Sequence, residues 1–454
     1  MLDQLTNVLR IRELRNRLLI TIGLLLIFRV GSYIPVPGVD IGVLEQRLDV
    51  GIEEGGGVAG QAMLMLRLVS GGQGFPAVFA LGIMPYISAS IIFSLLTNVV
   101  PRLEELQKQG EAGRRKIRQY ERYATMALCI VQSVMMLGLW RNQAQGMLSP
   151  DPMFAILSTV IVTTGTLFLL WLGNQISEFG IGNGISLLIM AGIVARMPLA
   201  LYDMFSGGDG GASLVSGSLL VMMFVAIIGG VVLIQLATRR IPTLQPKFTR
   251  GRRVYGGQSR HIPLRVNMAG VMPVIFASAI LTFLTTPIMI IGDKLANDPS
   301  NSQRAGLGWE TFRFMQNGQI FEYGDLGYMV LFAMMIFFFG FFWTSLQFKP
   351  QEMAENLKEY GSVIPGIPQG KKTAQFLEKT MINITIAGST FLVIIALLPM
   401  VVSKSPNVNP MVAGMYGGTG LLIVVSVALD LVNRIQDQLV MRSYQGFMRR
   451  STVR

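Results

Sequence analysis

Apolar residues along this chain gather into long runs separated by short polar and mostly basic stretches. Ten runs approach the roughly 20 residues that a helix needs to cross a bilayer's hydrocarbon core. They fall near 18–36, 76–97, 124–140, 153–172, 183–201, 216–236, 268–291, 327–348, 381–402 and 411–431. The pattern predicts an all-α polytopic membrane protein of ten transmembrane helices. Glycine, proline and serine interrupt the runs at 76–97 and 183–201, which are the weakest of the set. The first run reads as a retained span and not as a cleaved leader, since it starts late and no small-residue cleavage site follows it.

Composition agrees with this pattern. Of 454 residues, 51% are apolar and 14% charged, with a mean hydropathy of +0.51. An ordinary soluble domain carries roughly 25% charged residues. The net charge of +12 would suit a nucleic-acid partner, so the location of the charges decides. With a cytoplasmic N-terminus, the inward-facing segments are 1–17, 98–123, 173–182, 237–267, 349–380 and 432–454. They hold 29 of the 38 Lys and Arg, against 7 outside, with Arg29 and Arg196 within the first and fifth runs. Loops rich in Lys and Arg stay in the cytoplasm, so both termini are expected there and the number of spans is even.

The chain also reads as duplicated. Gly82-Ile83-Met84-Pro85 lies in the second run and Gly270-Val271-Met272-Pro273 in the seventh. The expected division is 1–202 and 203–454. Five spans per half is an odd number, so the second half enters the membrane inverted, and interrupted helices in inverted repeats point to a functional centre.

Chemistry is sparse. Within the runs the charged side chains are Arg29, Arg196 and Asp430, each near a span end, and the single histidine, His261, lies in a loop. Ion-coupled transporters keep charged groups near the midplane. No Walker A pattern, zinc-spaced His/Cys cluster or nucleophile–base set is present, which argues against an ATPase, an enzyme, a metal centre or a cofactor site. One cysteine, Cys129, excludes an intramolecular disulfide. What remains is an apolar constriction. Ile83 and Ile87 share a helix face by their i, i+4 spacing, and Ile185 and Ile189 repeat it. Such a ring stops ions by dewetting yet yields to a flexible polymer. Equally, isoleucines in a membrane helix pack against neighbours or face lipid.

Several stretches resemble one family in chain order. They are Phe79 to Ser90, Gly113-Arg114-Arg115-Lys116 with Gln119-Tyr120 and Arg122-Tyr123, Gly180 to Ser186, Gly251-Arg252-Arg253-Val254-Tyr255, Pro263 to Gly270, and Gly417 to Ile423. Together they are similar to the SecY/Sec61-alpha family of protein-translocase channels. The resemblance implies two inverted five-helix halves forming an hourglass pore with a plug and a lateral gate. It places the pore ring at Ile83, Ile87, Ile185, Ile189, Ile275 and Ile423. A plug is implied over about 58–72, with Ala62, Met63, Leu64, Met65 and Leu66 as a short apolar helix. Such a segment is too short to span a bilayer but long enough to re-enter it. A gate between spans two and three and spans seven and eight is implied, with Ser88, Ser90, Asn183 and Thr285 as candidate tuning residues.

The resemblance also implies partners. These are SecE-like and SecG-like small membrane subunits, the SecA motor ATPase, the ribosome, signal-sequence-bearing polypeptides and membrane lipids, at the bacterial cytoplasmic membrane. Arg239, Arg240, Arg252, Arg253, Lys371 and Lys372 are the candidate docking residues, since ribosomal RNA attracts basic loops through its phosphates. Two positions depart from the pattern. Ser94 stands where relatives carry a larger amide, and Pro368 fills the arginine position of Pro365-Gly366-Ile367-Pro368-Gln369-Gly370. Lysine is a point charge without arginine's fork, so Lys371 and Lys372 are imperfect substitutes. The competing readings are a small-solute or lipid transporter, disfavoured by the uncharged spans, and a non-transporting scaffold or insertase, which has no use for paired broken helices.

Overall fold

The computed structural model describes residues 11–39, 77–143, 152–195, 197–198, 214–244, 248–250, 253–255, 259–281, 326–403 and 418–451. Its helices are α1 (Arg12–Gly31), α2 (Met84–Val99), α3 (Pro101–Lys108), α4 (Glu111–Gln143), α5 (Pro152–Phe179), α6 (Gly184–Val194) and α7 (Leu214–Leu236). Four strands follow, β1 (Thr238–Leu244), β2 (Phe248–Arg250), β3 (Arg253–Tyr255) and β4 (Ser259–Arg265). The rest are α8 (Met272–Leu281), α9 (Leu326–Gln347), α10 (Pro350–Glu359), α11 (Lys371–Ser403) and α12 (Gly418–Ser451).

A helix coincides with each of the ten apolar runs. Among the described residues, three stretches are long and apolar enough to cross a membrane: Met153–Phe179, Leu326–Glu359 and Lys371–Leu398. Met84–Thr97 and Pro101–Lys108 reach that length only as a pair bent by 95°. The second run is therefore non-helical until residue 84, and the fifth holds a helix of 11 residues, Gly184–Val194. In both, the interrupting glycines and prolines are where the helix stops or starts.

The helices overshoot their apolar runs on the basic side. α4 starts at Glu111, ahead of the expected 124, and α12 continues to Ser451, so part of the 98–123 loop and most of the tail are helical. Charge pairs at helical spacing support these extensions. Arg115 meets Glu111 at 3.6 Å, Arg17 meets Glu13 at 3.7 Å and Arg434 meets Asp430 at 2.8 Å.

Packing follows chain order. α1 packs on α5, α2 on α4, α4 on α5 and α5 on α6. In the later part α9 packs on α11, while α12 lies against α7, α11 and, from the earlier part, α6. Glycines permit the closest approaches. A methyl group on Gly184 would stand 2.0 Å from the Gly173 carbonyl oxygen, and one on Gly340 would stand 2.3 Å from Ser389 Oγ.

The strands are a feature that the helical reading missed. β1 pairs with β4 and β2 with β3, both antiparallel. A period of two was present in the sequence: Ile241 and Thr243 are buried while Arg240, Pro242 and Leu244 are exposed.

Candidate pore and docking site

Two helices begin with the same backbone device. Gly82 has φ +55° and Gly270 has φ +62°, a left-handed conformation that a Cβ disfavours. α2 then starts at Met84 with Pro85 in its first turn, and α8 at Met272 with Pro273. Proline is tolerated there because the N–H it lacks would have had no intrahelical partner. The first-turn bonds match, with Ile87 N donating to Ile83 O at 3.1 Å and Ile275 N to Val271 O at 3.2 Å.

α6 starts by a related route. Gly182 has φ +91°, and Asn183 caps the helix, its Oδ1 accepting from Ile185 N at 3.1 Å. Gly184 N donates to Ser177 Oγ at 2.8 Å, tying this start to α5. Of the expected gate residues, Asn183 thus has a defined local duty as a cap. Ser88 and Ser90 are half-buried on α2, and Thr285 lies outside the described residues. The plug residues 62–66 also lie outside them.

All six ring isoleucines fall in two apolar cores that share members. Ile275 and Ile423 are buried in one, which Ile87 and Ile189 pack against. Ile83 is buried in the other, which Ile87, Ile185 and Ile189 pack against. Ile87 and Ile189 therefore join the cores. Side chains from α2, α6, α8 and α12 contribute to this junction, and both cores are built of aliphatic and aromatic side chains.

The basic loops form a second centre. Arg239 and Arg240 are exposed on β1 beside Leu264 and Pro263 of β4. The hairpin's inner residues, Ile241 and Leu264, pack with Phe348, Ile364, Leu377, Met381 and Ile384. The backbone continues the contact, with Leu244 N donating to Val363 O at 2.8 Å and Val363 N to Leu244 O at 2.9 Å. The two basic loops are consequently one packed unit. Lys371 and Lys372 are exposed at the start of α11. Arg253 pairs in register with Arg250, and Arg252 lies outside the described residues.

Pro368 is exposed, and its carbonyl oxygen accepts from Thr373 Oγ1 at 2.8 Å. The flanking Gly366 and Gly370 adopt φ +82° and +91°. The turn closes through backbone and threonine, so it needs no side chain from position 368.

Other anchors gave no clear sequence signal. Phe28, Phe79 and Phe168 stack in series, and Trp171 lies tilted against Phe168. Near the start of α8, Asn267 Nδ2 donates to Gly270 O at 3.0 Å. With its amide oriented to satisfy both neighbours, Gln347 donates to Met268 O and accepts from Trp343 Nε1. Aromatic and amide residues are frequent enough in such chains that only their meeting in space singles these out.

Known proteins share this sequence and this architecture. The family model for SecY matches residues 77–432. The protein translocase subunit SecY of Vibrio cholerae is 40% identical over 445 residues, covering 97% of this chain and 95% of that protein. Its counterpart in Escherichia coli K12 is 40% identical over 451 residues with the same coverage, and that of Thermotoga maritima is 37% identical over 454. Among solved structures, one described as a protein-conducting channel aligns with TM-score 0.61 at 18% identity, covering 94% of this chain and 93% of its own. Sec61 in a canine ribosome–channel complex aligns with TM-score 0.58 at 17% identity, covering 94% and 93%. With a family match over most of its length and relatives at 40% identity across nearly all of it, the chain belongs to the SecY family.

Proposed function

We propose that this chain is the pore of a bacterial protein translocase, passing unfolded secretory polypeptides across the cytoplasmic membrane and releasing apolar segments sideways into lipid. The observation that carries the reading is the junction at Ile87 and Ile189, where helix starts from both parts of the chain converge on isoleucine. An uncharged collar of flexible side chains accepts any sequence and still opposes ion passage by dewetting. It holds no group that could use chemical energy, so movement is driven by a partner, either the ribosome or a SecA-type motor. SecE-like and SecG-like subunits complete the complex.

The docking surface is the fused unit of β1–β4 and the turn before α11, with both termini on the same, cytoplasmic side. Lys371 and Lys372 stand at a helix N-terminus, where positive charge opposes the helix dipole by about 0.3–1 kcal/mol per residue. Their position costs stability, which fits a use in binding. Arg239 and Arg240 supply forked donors for phosphate or carboxylate on the same unit. Arg252, Arg253, the plug at 62–66 and the gate residues Ser88, Ser90 and Thr285 complete the assignment by family membership.

Site-specific photocrosslinking tests it. A photoreactive residue replaces Ile83 or Ile275 in membranes carrying a stalled chain with a signal sequence. Crosslinks at both positions that need a functional signal are expected. Silence at both, with a probe at Arg240 still capturing the ribosome or motor, would leave docking intact and remove the isoleucine pore.

A further inference from the structure

Residues 77–83 are the non-helical approach to α2, and they end at Ile83. An unwound segment inside an apolar layer must be fixed by its neighbours, and here the fixing is specific. Phe79, 5% exposed, lies between Phe28 and Phe168 with ring centroids at 6.3 and 6.0 Å and interplanar angles of 8° and 12°. Phe168 continues to Trp171 at 5.6 Å. The Phe79 ring fills a gap left by a missing side chain, since a methyl group on Gly31 would stand 2.1 Å from its Cε2. The backbone of the preceding residue is held on both sides. Val78 N donates to Ile34 O at 3.0 Å, and a methyl group on Gly165 would stand 2.1 Å from Val78 O. Pro35 and Ala77 form a further antiparallel bridge. Within the segment, Gly82 N donates to Phe79 O at 2.9 Å, so the turn that presents Ile83 closes on Phe79 itself. Phe28, Phe79 and Ile83 belong to one buried core.

We propose that Phe79, seated in a socket formed by Gly31, Phe28 and Phe168, is the positioning residue that fixes where Ile83 enters the pore collar. The proposal rests on the pore reading above. It assigns to Gly31 and Phe79 a task that neither performs by touching the translocating chain. Moving the ring rotates the turn that closes on it, and Ile83 moves with that turn.

The test measures resting ion leak through the full channel complex in proteoliposomes, with export of a substrate lacking a functional signal as a second readout. Ile83→Gly serves as the reference for a breached collar. Gly31→Ala is expected to raise the leak several-fold toward that reference and to admit signal-less substrate. Adding Phe79→Leu, which removes the ring edge that the new methyl group strikes, is expected to restore a tight channel. Gly138→Ala is the control, because nothing lies within 4 Å of the added methyl group. If Gly31→Ala fails to accumulate, Phe79→Ala asks the same question by emptying the socket, and it too should leak. A leaking Ile83→Gly with tight Gly31→Ala and Phe79→Ala channels would overturn the positioning role alone. A tight Ile83→Gly would overturn the pore reading and this proposal with it.

Discussion

The two glycine–proline helix starts share a backbone and differ in what holds them. Gly82 and Gly270 adopt nearly the same φ, and each is followed three residues on by a proline inside the first helical turn. The first start is approached through a buried apolar segment wedged between α1 and α5 by stacked rings. The second is approached from β4, with Val266 N bonded to Ala237 O at 2.9 Å and Asn267 closing the turn through its side-chain amide. The lesson concerns transmission. A partner that shifts the β1–β4 hairpin shifts the approach to α8 within a few residues, whereas the approach to α2 is sheltered from the docking loops.

Emptying the ring socket should produce the largest effect. Phe79→Ala removes a buried aromatic side chain, for which about 3–5 kcal/mol of lost stability is typical, read by thermal unfolding of the lipid-reconstituted protein. A loss below that of Asn267→Ala would break the claim that the first start is the more strongly anchored. Next come Gly82→Ala and Gly270→Ala, each expected to cost about 1–2 kcal/mol, because both place a Cβ in left-handed backbone. Equal losses would confirm that the two starts share their geometry, while a clear inequality would mean that only one depends on it.

Asn267→Ala should cost about 1 kcal/mol, the usual net value of an intramolecular hydrogen bond. It should also weaken the response of α8 to hairpin docking, measured by a fluorophore on Met272. The smallest effect is a pH dependence on α4, which packs against the first of these helices. Burial pushes the carboxyl of Glu121, on α4, above its ordinary value, and nearby Arg118 only partly opposes this. The folded protein favours the neutral acid, so the stabilisation is complete below the ordinary carboxylate range and is lost as pH rises through the raised value. Glu121→Gln should therefore flatten the stability–pH curve over that interval. An unchanged slope would remove the dependence.

The apolar runs were legible as helices, each coinciding with a helix among the described residues, because a run of apolar residues has few alternatives to a membrane helix. The repeated Gly-x-Met-Pro was legible as a pair, since it combines a residue free to take positive φ with one that starts helices. The β1–β4 hairpin was not read, although Ile241 and Thr243 alternate with exposed neighbours. In a basic loop, that short alternation is outweighed by the charges. The helical extensions of α4 and α12 were hidden for a related reason. Hydropathy reports where lipid begins, whereas helix continuity depends on spacing such as Glu111 to Arg115. The socket at Gly31 is a property of distance between elements, which no single stretch of sequence encodes.

The bridge between Leu244 and Val363 has a consequence for dissecting the molecule. Both of its residues follow α7, as do Arg239, Arg240, Lys371 and Lys372. The proposed collar is divided differently, with Ile83, Ile87, Ile185 and Ile189 before α7 and Ile275 and Ile423 after it. A gene cut between the codons for α6 and α7 would thus yield one polypeptide with the whole bridged docking unit. On the proposed pore reading, the seal against ions would return only when the two polypeptides found each other again in the bilayer.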